Sequence, residues 1–170
     1  MCKKERIREN LNNVMKSGYI PELGKFYSGK VRDNHISNGR RIMVTTDRIS
    51  AYDRILTRGI PFKGQVLNLL AAFWFEKTRD LIPNHLIEVV NDVHCLDTYI
   101  PAEKRFPYPP YLVGRSMIVK KVKRIPIECV VRGYLSGSAW AEYQQQGTVG
   151  QIALPKGLKE SQELPQPLFT

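Results

Sequence analysis

Apolar positions at Ile7, Leu11, Val14 and Met15 recur at the spacing of one helix face, and Gly18 with Pro21 closes that helix. Lys25 to Val31 reads as a strand running into a turn around Asp33-Asn34. Arg41 to Thr46 reads as a second strand, and Ser37-Asn38-Gly39 before it is a hairpin signal. A second helix is predicted from Gln65 to Leu81, with Val66, Leu69, Leu70, Phe73 and Lys77 on one face and Pro83 as its stop. Leu86 to Val93 is strand-like, and Pro101, Pro107, Pro109 and Pro110 make a loop of residues 101–110. Tyr111 to Val122 and Ile125 to Val131 read as two strands joined by a short basic connection. Ala139 to Gln146 is helical, with Gly147 as its C-cap. After Gly150 no regular element is predicted, because Pro155, Pro165 and Pro167 punctuate a polar extended tail. The pattern is α+β, an antiparallel sheet with one long helix, and not alternating βαβ units.

Within this pattern the stretch Pro126 to Trp140, PIECVVRGYLSGSAW, carries chemistry. An apolar strand-like run delivers Arg132 to its end. A turn of small residues, Ser136-Gly137-Ser138, follows and leads into the helix. A guanidinium beside backbone amides and hydroxyls at a helix start is a way to build an anion pocket. Glu128 should face away from Ile127 and Cys129 in such a strand. An acid and a base inside an apolar element are costly unless they are used or paired.

Composition changes the picture at one point. The 170 residues hold 26 Lys and Arg against 16 Asp and Glu, a net charge of +10. Nucleic acid, anionic membranes and small phosphorylated ligands all suit that balance. The positives are single or paired, as at Arg40-Arg41, Lys120-Lys121 and Lys123-Arg124, which suits several small anion pockets better than one phosphate-tracking groove. No aromatic-basic platform for RNA is visible. Cys2, Cys95 and Cys129 form no CxxC and leave an odd thiol, which points to a reducing compartment. His35, His85 and His94 have no i, i+4 partner, and no metal cluster is predicted. The N-terminus lacks the apolar core of a signal peptide, and the run from Val66 to Phe75 is about half a membrane span. The expectation is a soluble, cytoplasmic protein.

Three motifs each carry two readings. In Tyr27-Ser28-Gly29-Lys30-Val31-Arg32-Asp33, a strand would put Lys30 and Arg32 on one face beside a glycine, either to grip a polyphosphate or as a solvated basic face. The segment is neither a Walker A motif nor a G-x-G-x-x-G loop. In Thr45 to Asp53, Asp47, Ser50 and Asp53 at i, i+3, i+6 are either acceptors for a polar ligand or helix caps. The connection Lys120 to Arg124 is either an exposed hairpin or a hinge whose backbone meets an adenine ring.

Together SGKVRD, TTDRISAYD, IPIECVVRGYLSGSAWAEY and GLKESQELPQPLFT resemble the phosphoribosylaminoimidazole-succinocarboxamide synthases, the SAICAR synthetases of purine biosynthesis. The blocks stand in the family's order and spacing and span roughly residues 25 to 170. The most specific is P-x-E-x-x-x-R-x-x-x-x-G-S, spelled by Pro126, Glu128, Arg132, Gly137 and Ser138.

The resemblance implies an ATP-dependent ligase with a grasp-like or kinase-like α+β fold. It joins the carboxylate of a carboxyaminoimidazole ribonucleotide to the amine of L-aspartate through an acyl phosphate, with Mg²⁺. It implies an N-terminal antiparallel-sheet lobe over residues 1–119 with an ATP-phosphate hairpin, and a hinge with an incomplete second domain over 120–170. Gly29, Lys30, Val31 and Arg32 resemble the phosphate contacts, and Lys120, Lys121 and Val122 the adenine hinge. Arg132, Gly137 and Ser138 resemble the ribonucleotide contacts, with Ser50 and Asp53 at the substrate turn and Glu128 inside the motif. No catalytic residue and no metal ligand is assigned within the chain. Family members continue past the position of Thr170 with an Asp-x-Lys-x-Glu segment that has no counterpart here. The chain is therefore expected to be an N-terminal portion, inactive alone, whose partners are small-molecule substrates and a complementing C-terminal chain or a second copy, without nucleic acid or membrane. The competing reading is a non-catalytic nucleotide-binding or interaction module from a truncated or split gene.

Overall fold

The computed structural model describes residues 3–123 and 125–170, and Met1, Cys2, Arg124 and the side chains of Lys3 and Ile7 lie outside that description. The first helix, α1 (Lys3–Glu9), stops short of the predicted Met15. Asn10 turns its side-chain amide back to the Arg6 carbonyl, 2.8 Å, and Asn13 donates to Asn10 in turn. Short amides that bond nearby backbone favour helix ends over helix interiors. Beyond them the chain forms no regular element as far as Ile20. The Met15 carbonyl accepts from the Asp47 amide and the Met15 amide donates to the Asp47 carboxylate, while the Gly18 amide donates to the Asp33 carboxylate at 2.7 Å.

Contacts divide the chain into two units, Met1–Lys123 and Arg124–Thr170, so Lys120 to Val122 belong with the first. That unit is built on β1 (Lys25–Ser28), β2 (Arg32–Ser37) and β3 (Arg40–Thr45). The predicted turn at Asp33-Asn34 is instead at residues 29–31, and Asp33 and Asn34 lie inside β2. Gly29, Lys30 and Val31 are therefore turn residues, and Lys30 does not share a strand face with Arg32. The reason is steric. A Cβ at Gly29 would stand 2.9 Å from the Arg32 carbonyl oxygen, so the chain reverses there tightly only with glycine. The β2–β3 turn has Asn38 at φ 44° and Gly39 at φ 71°, the paired positive angles of a two-residue hairpin.

A short hairpin, β4 (Ser50–Ala51) and β5 (Arg54–Ile55), follows β3 and leads to α2 (Lys63–Lys77). Then come β6 (Leu86–Val89), a proline-punctuated stretch with 3-10 turns at Ala102–Lys104 and Pro110–Leu112, and β7 (Ser116–Lys120). The antiparallel sheet has the order β1-β2-β3-β7-β6. Ile42 faces Ile118 across the β3–β7 pair. They form a core with Val44, Leu23, Leu96 and Leu112, all fully buried. Each such side chain contributes about 1.5–3 kcal/mol by leaving water.

The buried face of α2 is not the predicted one. Gly64 and Asn68 are buried, while Val66, Leu69, Leu70, Phe73 and Trp74 are exposed. Close backbone approach decides the docking. A Cβ on Gly64 would lie 2.2 Å from the Thr45 carbonyl oxygen, and Asn68 donates to the Gly114 and Ser116 carbonyls at 3.0 and 3.3 Å. A small residue and an amide thus bring the helix onto β3 and β7 where a leucine stripe would hold it away.

The second unit holds β8 (Val131–Tyr134), α3 (Ser138–Gln146), the β9 (Thr148–Val149) and β10 (Ile152–Ala153) hairpin, and β11 (Glu163–Phe169). Leu135, Ala139, Val149, Leu164 and Leu168 form its core, with Trp140 and Tyr143 against them. Gly147 caps α3 at φ 70°, its amide on the Tyr143 carbonyl. Two expectations fail here. The tail after Gly150 is not structureless, because β11 pairs with β8 despite Pro165 and Pro167, whose missing amides fall where the register shifts between Glu163 and Leu168. The strand predicted over Ile125 to Val131 begins only at Val131. Val130 bonds Thr170 in both directions, but residues 126–129 have no strand beside them, and Ile127 is exposed. Among the described residues no helix is long and apolar enough to cross a membrane.

Candidate functional site

In the first unit the structure gathers Lys30 and Asp53, read from separate motifs. The Lys30 ammonium donates to the Asp53 carboxylate, and both side chains are largely exposed. The hydrogen bond and charge of Lys30 hold the Asp53 carboxyl below the usual carboxylate range. Asp53 sits with Tyr52 at the β4–β5 tip, at φ 61° and 48° respectively, a left-handed pair without glycine. Such positions cost of order 1 kcal/mol or more and persist where the surroundings hold them. Ser50 starts the same hairpin, half-buried, opposite Ile55.

Arg32 opens β2 and lines a cavity of about 60 Å³ with Thr45, Asn68, Phe75, His85 and Met117. Burial, then the charges of Arg41 and Arg32, push the His85 pKa down, so its ring favours the neutral form beside these cations. At the far end of β7 the Lys120 amide donates to the His85 carbonyl at 2.9 Å. Lys121 and Val122 follow, exposed, and their backbone groups bond no described residue.

Asp47 is not available to a ligand. It is fully buried, accepts from the Met15 and Gly64 amides at 2.9 and 2.8 Å, and forms an ion pair with Arg115 at 3.2 Å. It acts as a cap, but on the first turn of α2 across the chain. Arg48, absent from the predicted set, is the most connected side chain of the site. Its guanidinium grips Asp33 with two bonds, 3.0 and 2.7 Å. It also donates to the carbonyls of Lys16, Gly29 and Lys30 at 2.6, 2.8 and 3.0 Å. Burial would raise the Asp33 pKa, but the bonds from Arg48, Ser28 and the Gly18 amide outweigh it and lower it. No local pattern announces this cluster, because an arginine in a polar turn reads as solvated.

In the second unit Arg132 and Ser138 meet. The Arg132 guanidinium donates to Ser138 Oγ at 3.3 Å and to Thr170 Oγ1 at 3.3 Å. Arg132 is half-buried. Gly137, at φ 60°, makes the sharp entry that puts Ser138 at the first position of α3. Thr170 was not predicted, since it reaches Arg132 only through the β8–β11 pairing. Glu128 is exposed in the irregular stretch and bonds none of the described residues, so the apolar element expected to bury both an acid and a base does not exist. Cys95 offers no nucleophile, because burial and then Glu88, Asp92 and Asp97 push its thiol up to about 11. Among the described residues no three His, Cys, Asp or Glu side chains are grouped to hold a metal ion.

Comparison with known proteins agrees with the motifs. The family model for SAICAR synthetase matches residues 25–170. The phosphoribosylaminoimidazole-succinocarboxamide synthase of Syntrophotalea carbinolica is 50% identical over 151 residues, covering 89% of this chain and 49% of that protein. The synthase of Geotalea uraniireducens is 51% identical over 152 residues, with the same coverage of 89% and 49%. Among solved structures, the Saccharomyces cerevisiae SAICAR synthase complexed with SAICAR superposes with a TM-score of 0.80 at 42% identity, covering 92% of this chain and 53% of that one. A type-2 SAICAR synthetase in complex with ADP shares the fold, with a TM-score of 0.59 at 22% identity, over 85% of this chain and 48% of that one. The chain spans about half the length of the curated relatives it matches. With a family match over most of its length and half of the 151 aligned residues identical to such a synthase, the chain belongs to the SAICAR synthetase family.

Proposed function

We propose that the chain serves an ATP-dependent ligase of purine biosynthesis in the cytoplasm, forming the amide between a carboxyaminoimidazole ribonucleotide and L-aspartate. The observation that carries this reading is the Arg132–Ser138 pair, set by Gly137 inside the family's most specific motif. Arg132 offers a planar fork to a phosphate or carboxylate of the ribonucleotide, and Ser138 and the amides of the α3 start add donors. In the first unit, the Gly29 to Val31 turn with Lys30 and Arg32 takes the ATP phosphates. The backbone groups of Lys121 and Val122, which bond no described residue, suit the edge of an adenine ring.

ATP, when bound, supplies the phosphoryl group that turns a carboxylate oxygen into a leaving group. The carboxylate oxygen attacks the γ-phosphorus and ADP departs. The aspartate amine then attacks the acyl carbon, loses a proton, and phosphate leaves. The reactants repel one another as anions, and the cations named above offset that repulsion. Mg²⁺ belongs to the same reading, but the described residues offer no donor cluster that fits it, and no step is derived through it.

The test joins residues 1–170 to the remaining half of the yeast relative and measures ATP- and aspartate-dependent formation of the succinocarboxamide. Product that disappears in Arg132→Lys is the expected result. A folded chimera that binds ATP and the ribonucleotide but forms no product, beside an active relative, would overturn the ligase reading. That outcome would favour an interaction module, which the exposed apolar face of α2 also suits.

A further inference from the structure

Every carbonyl of the Gly29 to Val31 turn is held from one side. Gly29 O accepts from Arg48 Nη2 at 2.8 Å, and Lys30 O from Arg48 Nε at 3.0 Å. Val31 O accepts from the Thr46 amide at 3.0 Å and from Thr46 Oγ1 at 2.9 Å. A trans peptide is planar, with its N–H opposed to its C=O. Carbonyls of Gly29 and Lys30 that point at Arg48 therefore turn the N–H groups of Lys30 and Val31 away from it. Those two amides donate to no acceptor among the described residues, whereas the Gly29 amide closes the turn on Arg32 O at 2.7 Å.

Arg48 itself cannot serve as the anion's partner. Its side chain is nine-tenths buried, and its donors are spent on Asp33, Ser28 and three carbonyls. We infer that Arg48 is the positioning residue of the nucleotide-phosphate turn, and that Thr46 supports it, its Oγ1 donating to Val31 O at the end of the turn and accepting from the Arg48 amide at 3.4 Å. By fixing the Gly29 and Lys30 carbonyls inward, Arg48 presents the Lys30 and Val31 amides outward as a two-amide nest for a phosphate oxygen, beside the Lys30 ammonium. The buried arginine works through the backbone and touches no ligand. Asp33 is its counter-charge, anchored in turn by the Gly18 amide and Ser28. The inference rests on the ATP reading for the identity of the ligand, but not for the presence of an anion site.

The experiment uses the 170-residue chain, with ATP and inorganic tripolyphosphate as separate probes. Amide ¹H–¹⁵N resonances report the site, calorimetry the affinity, and thermal melting the fold. Both probes are expected to move the Lys30 and Val31 amide resonances. Arg48→Lys, which keeps the charge but loses the fork, should weaken both probes about tenfold or more. Thr46→Val should weaken them roughly two- to fivefold at a near-unchanged melting midpoint, with Thr46→Ser restoring the affinity. The Thr46 pair decides the matter if Arg48→Lys does not fold. Tripolyphosphate binding with these shifts but no ATP binding would sink the nucleotide reading and leave the positioning role standing. ATP binding that leaves the two amides unmoved, or that Thr46→Val does not weaken, would sink the positioning role alone. If neither probe binds, both fall.

Discussion

Lys30 and Asp53, one from the turn between β1 and β2 and one from the tip of the β4–β5 hairpin, form an exposed ion pair. The lysine proposed to grip phosphate is thus already occupied by the carboxylate proposed to face substrate. The pair is weak enough to yield, because exposed pairs are screened by water and salt. A triphosphate brings several negative charges to the same ammonium and should displace the single carboxylate. Asp53→Asn is expected to tighten ATP binding modestly, by a factor of at most about five, and most at low salt. Calorimetry across a salt series checks this. Weaker binding in the variant would mean that Asp53 orients Lys30 and does not compete for it.

Arg132→Lys is expected to lower affinity for the carboxyaminoimidazole ribonucleotide by about ten- to a hundredfold while the melting midpoint stays close to the parent's. The guanidinium bridges Ser138 and Thr170 by side-chain contacts at 3.3 Å, while the β8–β11 backbone pairing stands without it. Titration calorimetry and thermal melting on the same samples read the two quantities. A large fall in melting midpoint with unchanged affinity would assign Arg132 to the fold.

Asp33 sets an acid limit on stability. Its native pKa is lowered, so the folded state binds its proton less readily than the unfolded chain does. Its contribution is complete above the ordinary carboxylate value of 3.8 and is lost as pH falls through the lower native value. Asp33→Asn should flatten the stability profile below about pH 4 and, by leaving Arg48 buried without its partner, cost about 3–5 kcal/mol at neutral pH. Urea unfolding from pH 2 to 7 measures both effects.

Gly64→Ala should destabilise the first unit by about 1–3 kcal/mol or more, an unusual penalty for adding one methyl group within a helix. The new Cβ would meet the Thr45 carbonyl oxygen at 2.2 Å and Arg115 at 2.9 Å, and α2 would have to lift off β3. Chemical denaturation reads the cost. A neutral or stabilising result would show that α2 docks less closely than described.

Local signals in the chain determined the features that depend on neighbours a few residues apart. Asn38-Gly39 closes a hairpin because both positions need positive φ, and Gly147 ends α3 for the same reason. The sheet-and-helix character, the family blocks and the placing of Arg132 near Ser138 also follow from short spacings, six residues in that last case. Tertiary structure decided what depends on distant partners. Arg48 reaches Asp33 over 15 residues and Arg132 reaches Thr170 over 38, and no periodicity encodes either pairing. The face of α2 misled for a related reason. Hydrophobic spacing says which residues avoid water, but the backbone approach to Thr45 admits only Gly64, so the polar, small stripe docks and the leucines stay outside. The turn at residues 29–31 shows the same division. Its glycine is visible in the chain, while the direction of its amides is set by a guanidinium that only folding brings beneath it.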